Sequence, residues 1–434
     1  MNDVVYNIIH FIITFGFSLF FLMTAASLLV YSERKVQAFM QDRWGPLHYG
    51  PQGILLAIID PMKLLLKEDI KATATDTVVF RMAPVIFFAP VIAAFVVLPF
   101  SPFLTASALG TGIIYYVALS SIDVIGVFMA GWGSNNKYAL IGGLRSAAQM
   151  ISYELPLVLS LVGVVMITSV LGPGCAGTNP DLSTCGIGSI SFSEIIASQM
   201  RPTSWWLWFV LLQPLGLLIY YICGLAETNR TPFDLPEAES ELVAGYLTEY
   251  SGLRWAMFFL GEYGNMAIVS AVATALFLGG WSGPGAAIGF WTGALGSFWG
   301  QVVFNLIALF WFVTKMIVLL LLFQWIRATL PRLRADQLMR YAWLFLIPLT
   351  LFNIVLTGGL LLIPVSTPLR LVIVAAANWL LTILMIGTFR RLTGVTSLGK
   401  VPRWIRASVR TPESGARPAS VPQRPDRELA GTRR

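Results

Sequence analysis

Residues 226–254, AETNRTPFDLPEAESELVAGYLTEYSGLR, hold six carboxylates (Glu227, Asp234, Glu237, Glu239, Glu241 and Glu249) between two long apolar runs. Carboxylates crowded beside a low-dielectric region are suited to holding and exchanging protons, because like charges and poor solvation both oppose full ionisation. Glu237 and Glu241, at i and i+4, share a helix face, while Glu239 points elsewhere. Asp234 has the type of a helix N-cap, with Pro236 in the first turn and Glu237 placed to favour the helix dipole. A structural role therefore stays open for Asp234 and Glu237, and a solvated acidic loop stays open for the whole set. Capping does not account for Glu239 and Glu241.

Four further ionisable residues, Asp123, Glu154, Glu262 and Lys315, fall inside apolar runs or near their ends. Charges at membrane depth face a polar interior and mark ion or substrate paths. A purely structural pairing, such as Lys315 neutralised by a carboxylate of a neighbouring helix, is the alternative. His10, alone in the first run, reads as a packed residue.

Metal and cofactor chemistry has little to work with. There are three cysteines and two histidines, with no C-x-x-C, no H-E-x-x-H, no P-loop and no dinucleotide fingerprint. No metal, haem or flavin of its own is expected. Cys175 and Cys185 share a Gly/Pro/Ser-rich loop and are near enough in sequence to bridge, in a compartment that permits it.

The elements that must position these residues follow from composition. The chain is 56% hydrophobic and 12% charged, about half the roughly 25% charged fraction of a soluble domain. A bilayer admits only helices or closed barrels, and long apolar runs without short alternating segments exclude the barrel. The expectation is an all-α polytopic membrane protein with about nine spans plus cytoplasmic amphipathic helices. The spans are residues 7–31, 78–100, 111–132, 149–171, 205–225, 255–281, 298–325, 342–364 and 369–389. The first apolar run is too long for a cleavable signal. Lys and Arg concentrate in residues 32–77, 133–148, 226–254 and 326–341 and after the last span, which places these in the cytoplasm and the N-terminus in the periplasm. Residues 1–399 form the membrane domain. Residues 400–434, rich in Pro, Arg, Ser and Gly, read as a disordered basic cytoplasmic tail.

The first cytoplasmic connection contains ILLAIIDPMKLLLKED. Asp60 followed by Pro61 reads as an N-cap and first helical position. Asp60, Lys63 and Lys67 then share one face of a short amphipathic helix lying in the interface. A plain lipid anchor is an open reading of it.

Several of these segments together are similar to one family. AETNRTPFDLPEAESELVAGY resembles the signature of one membrane subunit of respiratory complex I, the H subunit of bacteria, called subunit 1 in mitochondria. The resemblance extends to ERK at residues 33–35, RWGPLHYGP at 43–51, D-x-x-K-x-x-x-KE at 60–68 and GWGSNNKYALIGGLRSAAQMISYEL at 131–155. EYGN at 262–265 and WIRATLPRLRADQLM at 325–339 follow in family order, so the likeness runs from about residue 31 to 343. It implies a subunit without a redox centre in a proton-translocating NADH:quinone oxidoreductase of a bacterial inner membrane. The implied substrate is a quinone, ubiquinone or menaquinone. The implied partners are the peripheral quinone-site and iron–sulfur subunits, small membrane-arm subunits and the bilayer, with no nucleic acid. By motif, Arg34, Arg43, Asp60, Lys63, Arg327, Arg332, Arg334 and Asp336 would line or brace a quinone chamber. Glu227, Asp234, Glu237, Glu239 and Glu241 would link it to the membrane, with Glu154, Glu262 and Lys315 continuing inward. Asp123 stands where the resemblance leads one to expect a small or apolar residue, and is read as an added proton-exchanging group beside Glu154. Two alternatives are the ion-translocating membrane subunit of a membrane-bound hydrogenase and, more remotely, a secondary transporter.

Overall fold

The structure, a computed structural model, describes residues 2–107, 109–171, 188–200, 208–235, 243–284, 297–365 and 367–392. Glu237, Glu239, Glu241, Cys175, Cys185, the expected helix start at Pro236 and the 400–434 tail lie outside these residues. The chain divides into two units, Met1–Thr382 and Ile383–Arg434. The second contributes, among the described residues, only the last turns of the final helix, and the account below concerns the first.

In chain order the helices are α1 (Asn2–Met40), α2 (Leu56–Leu66), α3 (Thr77–Val97), α4 (Gly112–Gly133), α5 (Lys137–Leu171) and α6 (Phe192–Gln199). They continue with α7 (Phe209–Leu212), α8 (Pro214–Glu227), α9 (Gly252–Phe277), α10 (Ser297–Thr329), α11 (Ala335–Leu361) and α12 (Thr367–Leu392). Among the described residues none is in a strand, and eight helices (α1, α3, α4, α5, α9, α10, α11 and α12) are long and apolar enough to cross a membrane. The protein is an all-α, multi-pass membrane protein.

The expected fifth span, residues 205–225, is not one continuous helix. It breaks at Gln213, whose φ of −135° and ψ of 64° separate α7 from α8. Pro214 supplies no amide hydrogen there, so a helix running through that point would lose a backbone bond in any case. Irregular backbone at membrane depth persists where protein encloses it, and Gln213 is fully buried, its Nε2 donating to Thr357 Oγ1 at 3.4 Å.

Other helices outrun the expected spans. α5 has 35 residues, about 52 Å of helix against a hydrocarbon layer of roughly 30 Å. Most of the expected 133–148 connection is therefore its first turns, just as the beginning of the 32–77 connection belongs to α1. Charge marks where the bilayer ends, and a helix ends only where its backbone bonding does. Asp60 does not cap α2. The helix starts a turn earlier, at Leu56, and carries Pro61 inside it. The Asp60 carboxylate instead takes an ion pair from Arg34 of α1 at 2.6 Å.

Close packing centres on α3, α4, α5 and α9. A Cβ on Gly126 of α4 would meet the Phe87 backbone of α3 at 2.8 Å, the approach that small residues permit between membrane helices. Beneath that contact Phe80, Phe87, Val127, Tyr246, Tyr250 and Phe258 form a buried cluster, with the Phe80 and Tyr250 rings stacked at 4.1 Å between centroids.

α9 ends in the interior, Ala275, Leu276 and Phe277 being wholly buried, so its last carbonyls need donors from elsewhere. Gln199 of α6 donates to Ala275 O and Leu276 O at 3.3 and 3.2 Å. Lys315 of α10 donates to Leu278 O, Gly280 O and Ser282 O at 2.6, 3.0 and 2.6 Å, with its ammonium 4.3 Å from the Trp208 ring centre.

Candidate functional site

α1, α2, the segment before α9 and the first turns of α9 enclose a cavity of about 630 Å³, within the usual range for a small-molecule site. Its α1 wall runs from Met23 through Ala26 and Val30 to Arg34, about 16 Å by helix rise. Leu56, Leu64 and Leu65 of α2 and Trp255, Phe259 and Leu260 of α9 extend the apolar lining. The polar lining is sparse and includes Tyr31, Arg34, Asp60, Lys63, Lys67 and Tyr263. A long apolar slot with a few charged groups suits an amphiphile with a polar head and a hydrocarbon tail.

The sequence placed Asp60, Lys63 and Lys67 on one helix face. Asp60 and Lys63 line the cavity from α2, while Lys67 lines it from extended backbone just past the helix end at Leu66. The rest of the polypeptide around it is held by specific contacts. Arg254 pairs with Asp69 at 2.9 Å, and the Ser251 hydroxyl accepts from the Ile70 amide at 2.8 Å, fastening the chain after α2 to the start of α9. Tyr250 donates its hydroxyl to Phe80 O at 3.2 Å. Burial pushes this phenol above its ordinary range, with the Arg254 guanidinium pulling the other way, so it stays protonated and keeps donating.

Behind the cavity wall lies a connected set of charged groups. Arg327 of α10 forms an ion pair with Glu33 of α1. Tyr263 of α9, itself part of the lining, donates to Glu33 Oε2 at 2.9 Å. The Arg230 guanidinium lies 4.3 Å over the Tyr263 ring and 3.5 Å from Glu262 Oε2, and Glu262 Oε1 accepts from Tyr246 at 2.9 Å. Arg230 and Glu262 are both buried, where a charge that loses a partner is strongly destabilising.

The described part of the acidic stretch is not a solvated loop. Glu227, Thr228, Asn229 and Arg230 are buried. Asn229 takes a positive φ of 50° just past the end of α8, a conformation that asparagine tolerates at helix ends. Gln149 of α5 donates to Ala226 O and Phe233 O at 2.8 and 2.6 Å, clamping this turn from both sides. The Leu333 amide donates to Pro232 O at 3.0 Å, which sets the Arg-rich α10–α11 connection against it.

The predicted residues separate into groups. Arg34, Asp60 and Lys63 line the cavity, and Arg327 braces its rear wall through Glu33. Arg43, Arg332, Arg334 and Asp336 are exposed or half-buried and do not line it. Glu154 accepts from Ser121. Asp123 lies with Glu227 and Asn265, Asn265 Nδ2 donating to its Oδ2 at 2.7 Å, and Glu154 is within electrostatic reach of it. Lys315 is bonded to three backbone oxygens. Sequence reasoning did not single out Glu33, Arg230, Tyr263 or Asn265 as site residues. Glu33 offered a signal, an acid directly after an apolar run, and Arg230 stands among the acids of the signature. Among the described residues no group of three or more His, Cys, Asp or Glu is placed to hold a metal ion.

Comparison with known proteins identifies the family. A family model described as NADH dehydrogenase matches residues 12–358. The H subunit of NADH-quinone oxidoreductase from Dehalococcoides mccartyi (strain CBDB1) is 42% identical over 359 residues, 83% of this chain and 88% of that one. The proteins of the same name from Bacillus cytotoxicus and Brevibacillus brevis are 44% and 45% identical, each over 80% of this chain and 94% of their own. A family match over most of the chain, relatives of this identity and coverage, and an all-α membrane architecture lead to one assignment: the chain belongs to the NADH dehydrogenase family, as a membrane subunit of the NADH:quinone oxidoreductase translocase.

Proposed function

We propose that the cavity between α1, α2 and α9 receives an isoprenoid quinone from the bilayer, and that quinone reduction next to it is coupled to proton transfer along the buried acids behind it. The observation that carries this reading is the shape and chemistry of the cavity: an apolar slot along α1, framed by an amphipathic helix, with the Arg34–Asp60 pair among its few polar groups. Arg43, Lys63, Arg327, Arg332, Arg334 and Asp336 brace the chamber and its docking face toward the peripheral iron–sulfur arm. Glu227, Asp234, Glu237, Glu239, Glu241, Glu154, Glu262 and Asp123 form the proton-coupling set. Lys315, whose three donors meet three carbonyls, serves that set as a fixed structural cation rather than as a carrier. The Lys/Arg-rich connections face the cytoplasm of a bacterial inner membrane, with the N-terminus on the other side. Small membrane-arm subunits cover further helices.

Filling the slot tests the reading. Ala26→Phe and Ala57→Phe, both on its lining, are expected to lower inhibitor-sensitive NADH:quinone reductase in membrane vesicles by tenfold or more, at about 1.4 kcal/mol per tenfold. NADH:ferricyanide reductase, which needs only the peripheral arm, should hold. Assembled variants with full quinone reductase would overturn the proposal.

A further inference from the structure

We propose that the gap between α3, α4, α9 and the end of α8 holds one ordered water molecule that joins Asp123 to Glu227 and carries a proton between them. This rests on the proton-coupling reading above and assigns it a specific junction. The gap is small, about 10 Å³, close to the minimum of roughly 10–15 Å³ that one water requires. Five polar side chains line it: Tyr116, Ser120, Asp123, Glu227 and Asn265.

Two of those side chains have an oxygen to spare. Asp123 is 3% and Glu227 7% exposed, and Asp123 Oδ1 and Glu227 Oε2 are buried with no hydrogen-bonding partner among the described residues. Buried carboxylate oxygens are almost always satisfied by protein or by ordered water. The neighbouring groups are already engaged. Asn265 Nδ2 donates to the other Asp123 oxygen, Oδ2, at 2.7 Å, which fixes the carboxylate plane and leaves Oδ1 without a donor. The Ser120 hydroxyl lies beside the Glu227 carboxylate but donates to Val117 O at 3.0 Å, and the Tyr116 and Tyr220 hydroxyls face each other at 3.3 Å. Glu154, occupied by Ser121, does not line the gap.

One water answers this arrangement in full. With both acids ionised its two hydrogens match the two orphan oxygens, one each. With one acid protonated, that acid donates to the water and the water to the other acid. A buried water needs two to four polar partners. The same molecule makes a relay. With Glu227 protonated and Asp123 ionised, the water accepts the Glu227 proton and donates one of its own to Asp123. The products are a Glu227 carboxylate, a neutral water and an Asp123 carboxylic acid, so charge and atoms balance. α4 thereby enters the path through a residue that the acidic signature does not contain.

The test uses the whole complex. A cryo-electron microscopy map of the wild-type assembly, fine enough to show ordered water, is expected to contain one solvent peak within hydrogen-bonding distance of Asp123 Oδ1 and Glu227 Oε2. In membrane vesicles Asp123→Asn, nearly isosteric, should lower quinone-coupled proton pumping several-fold while ferricyanide reductase and the amount of assembled complex hold. A carboxylic C=O band in the NADH-induced infrared difference spectrum should disappear in the same variant. A dry gap, or wild-type pumping with an unaltered spectrum in Asp123→Asn, overturns the junction. Glu227→Gln separates the two claims. If it abolishes pumping while Asp123→Asn does not, the junction fails and the broader coupling stands. If neither variant changes pumping, both fail. The wild-type map decides the water site even if a variant does not assemble.

Discussion

The Tyr263 hydroxyl donates to Glu33 Oε2 at 2.9 Å, and it does so from a side chain that also lines the apolar cavity. The ring of the same residue supports the Arg230 guanidinium at 4.3 Å, and Arg230 reaches Glu262. Tyr263 therefore touches the cavity, the Glu33–Arg327 pair and the buried Arg230–Glu262 pair at once. Two different interactions do this, a directional hydrogen bond and a ring-face contact, so they can be removed separately.

Tyr263→Phe removes the hydroxyl and keeps the ring. A hydrogen bond to a charged group contributes about 1.5–3 kcal/mol, and Glu33 retains Arg327, so the complex should assemble with quinone reductase lowered several-fold. Tyr263→Leu also removes the cation–π contact and should be worse. Equal rates for wild type, Phe and Leu variants in membrane vesicles would show that Tyr263 only fills space.

Arg34→Ala should act on substrate handling and leave stability nearly unchanged. Arg34 is 47% exposed in its pair with Asp60, and such a pair contributes about 0–1 kcal/mol. The expected signature is a raised KM for a short-chain quinone with kcat little altered and the thermal midpoint of the purified complex unchanged. A lowered midpoint with normal KM would make the pair a structural clip.

Lys315→Met tests the capping role. The substitution keeps the apolar stem and leaves three carbonyls without a donor, each buried unsatisfied group costing about 1–3 kcal/mol. A marked loss of assembled complex, or a lower thermal midpoint, is expected. Full assembly at an unchanged midpoint with lost proton pumping would instead return Lys315 to the proton path.

Gly126→Val should prevent α3 and α4 from closing, because the new Cβ would meet the Phe87 backbone at 2.8 Å and overpacking costs about 1–3 kcal/mol or more. Gly16→Ala, with nothing within 4 Å, should be neutral. Comparing the yields of intact complex for the two variants checks the close approach.

Some of this was legible in the sequence because it is set locally. The hydrocarbon thickness fixes how long an apolar run must be, so eight of the nine spans appear as long helices. The remaining one, the fifth, carried its own interruption in Pro214. Helical periodicity placed Asp60 and Lys63 on one face, and both line the cavity, but it carried the helix one residue too far, to Lys67. Asp60 followed by Pro61 nevertheless misled, because a carboxylate that suits an N-cap suits a guanidinium equally well, and nothing near Asp60 in sequence indicates that Arg34 will be the one beside it.

By itself the sequence determined an all-helical membrane protein, its family, the amphipathic helix after the first span and the acidic stretch at residues 226–254. Tertiary structure decided which charges meet: Glu33 with Arg327 and Tyr263, Arg230 with Glu262, Asp123 with Asn265 beside Glu227. It also decided that Lys315 meets backbone carbonyls rather than an acid. The physical reason is that partition into a bilayer is an additive property of neighbouring residues, whereas the partner of a buried charge depends on which helix faces come together. That choice rests on contacts such as Gly126 against Phe87, which lie between residues far apart in the chain.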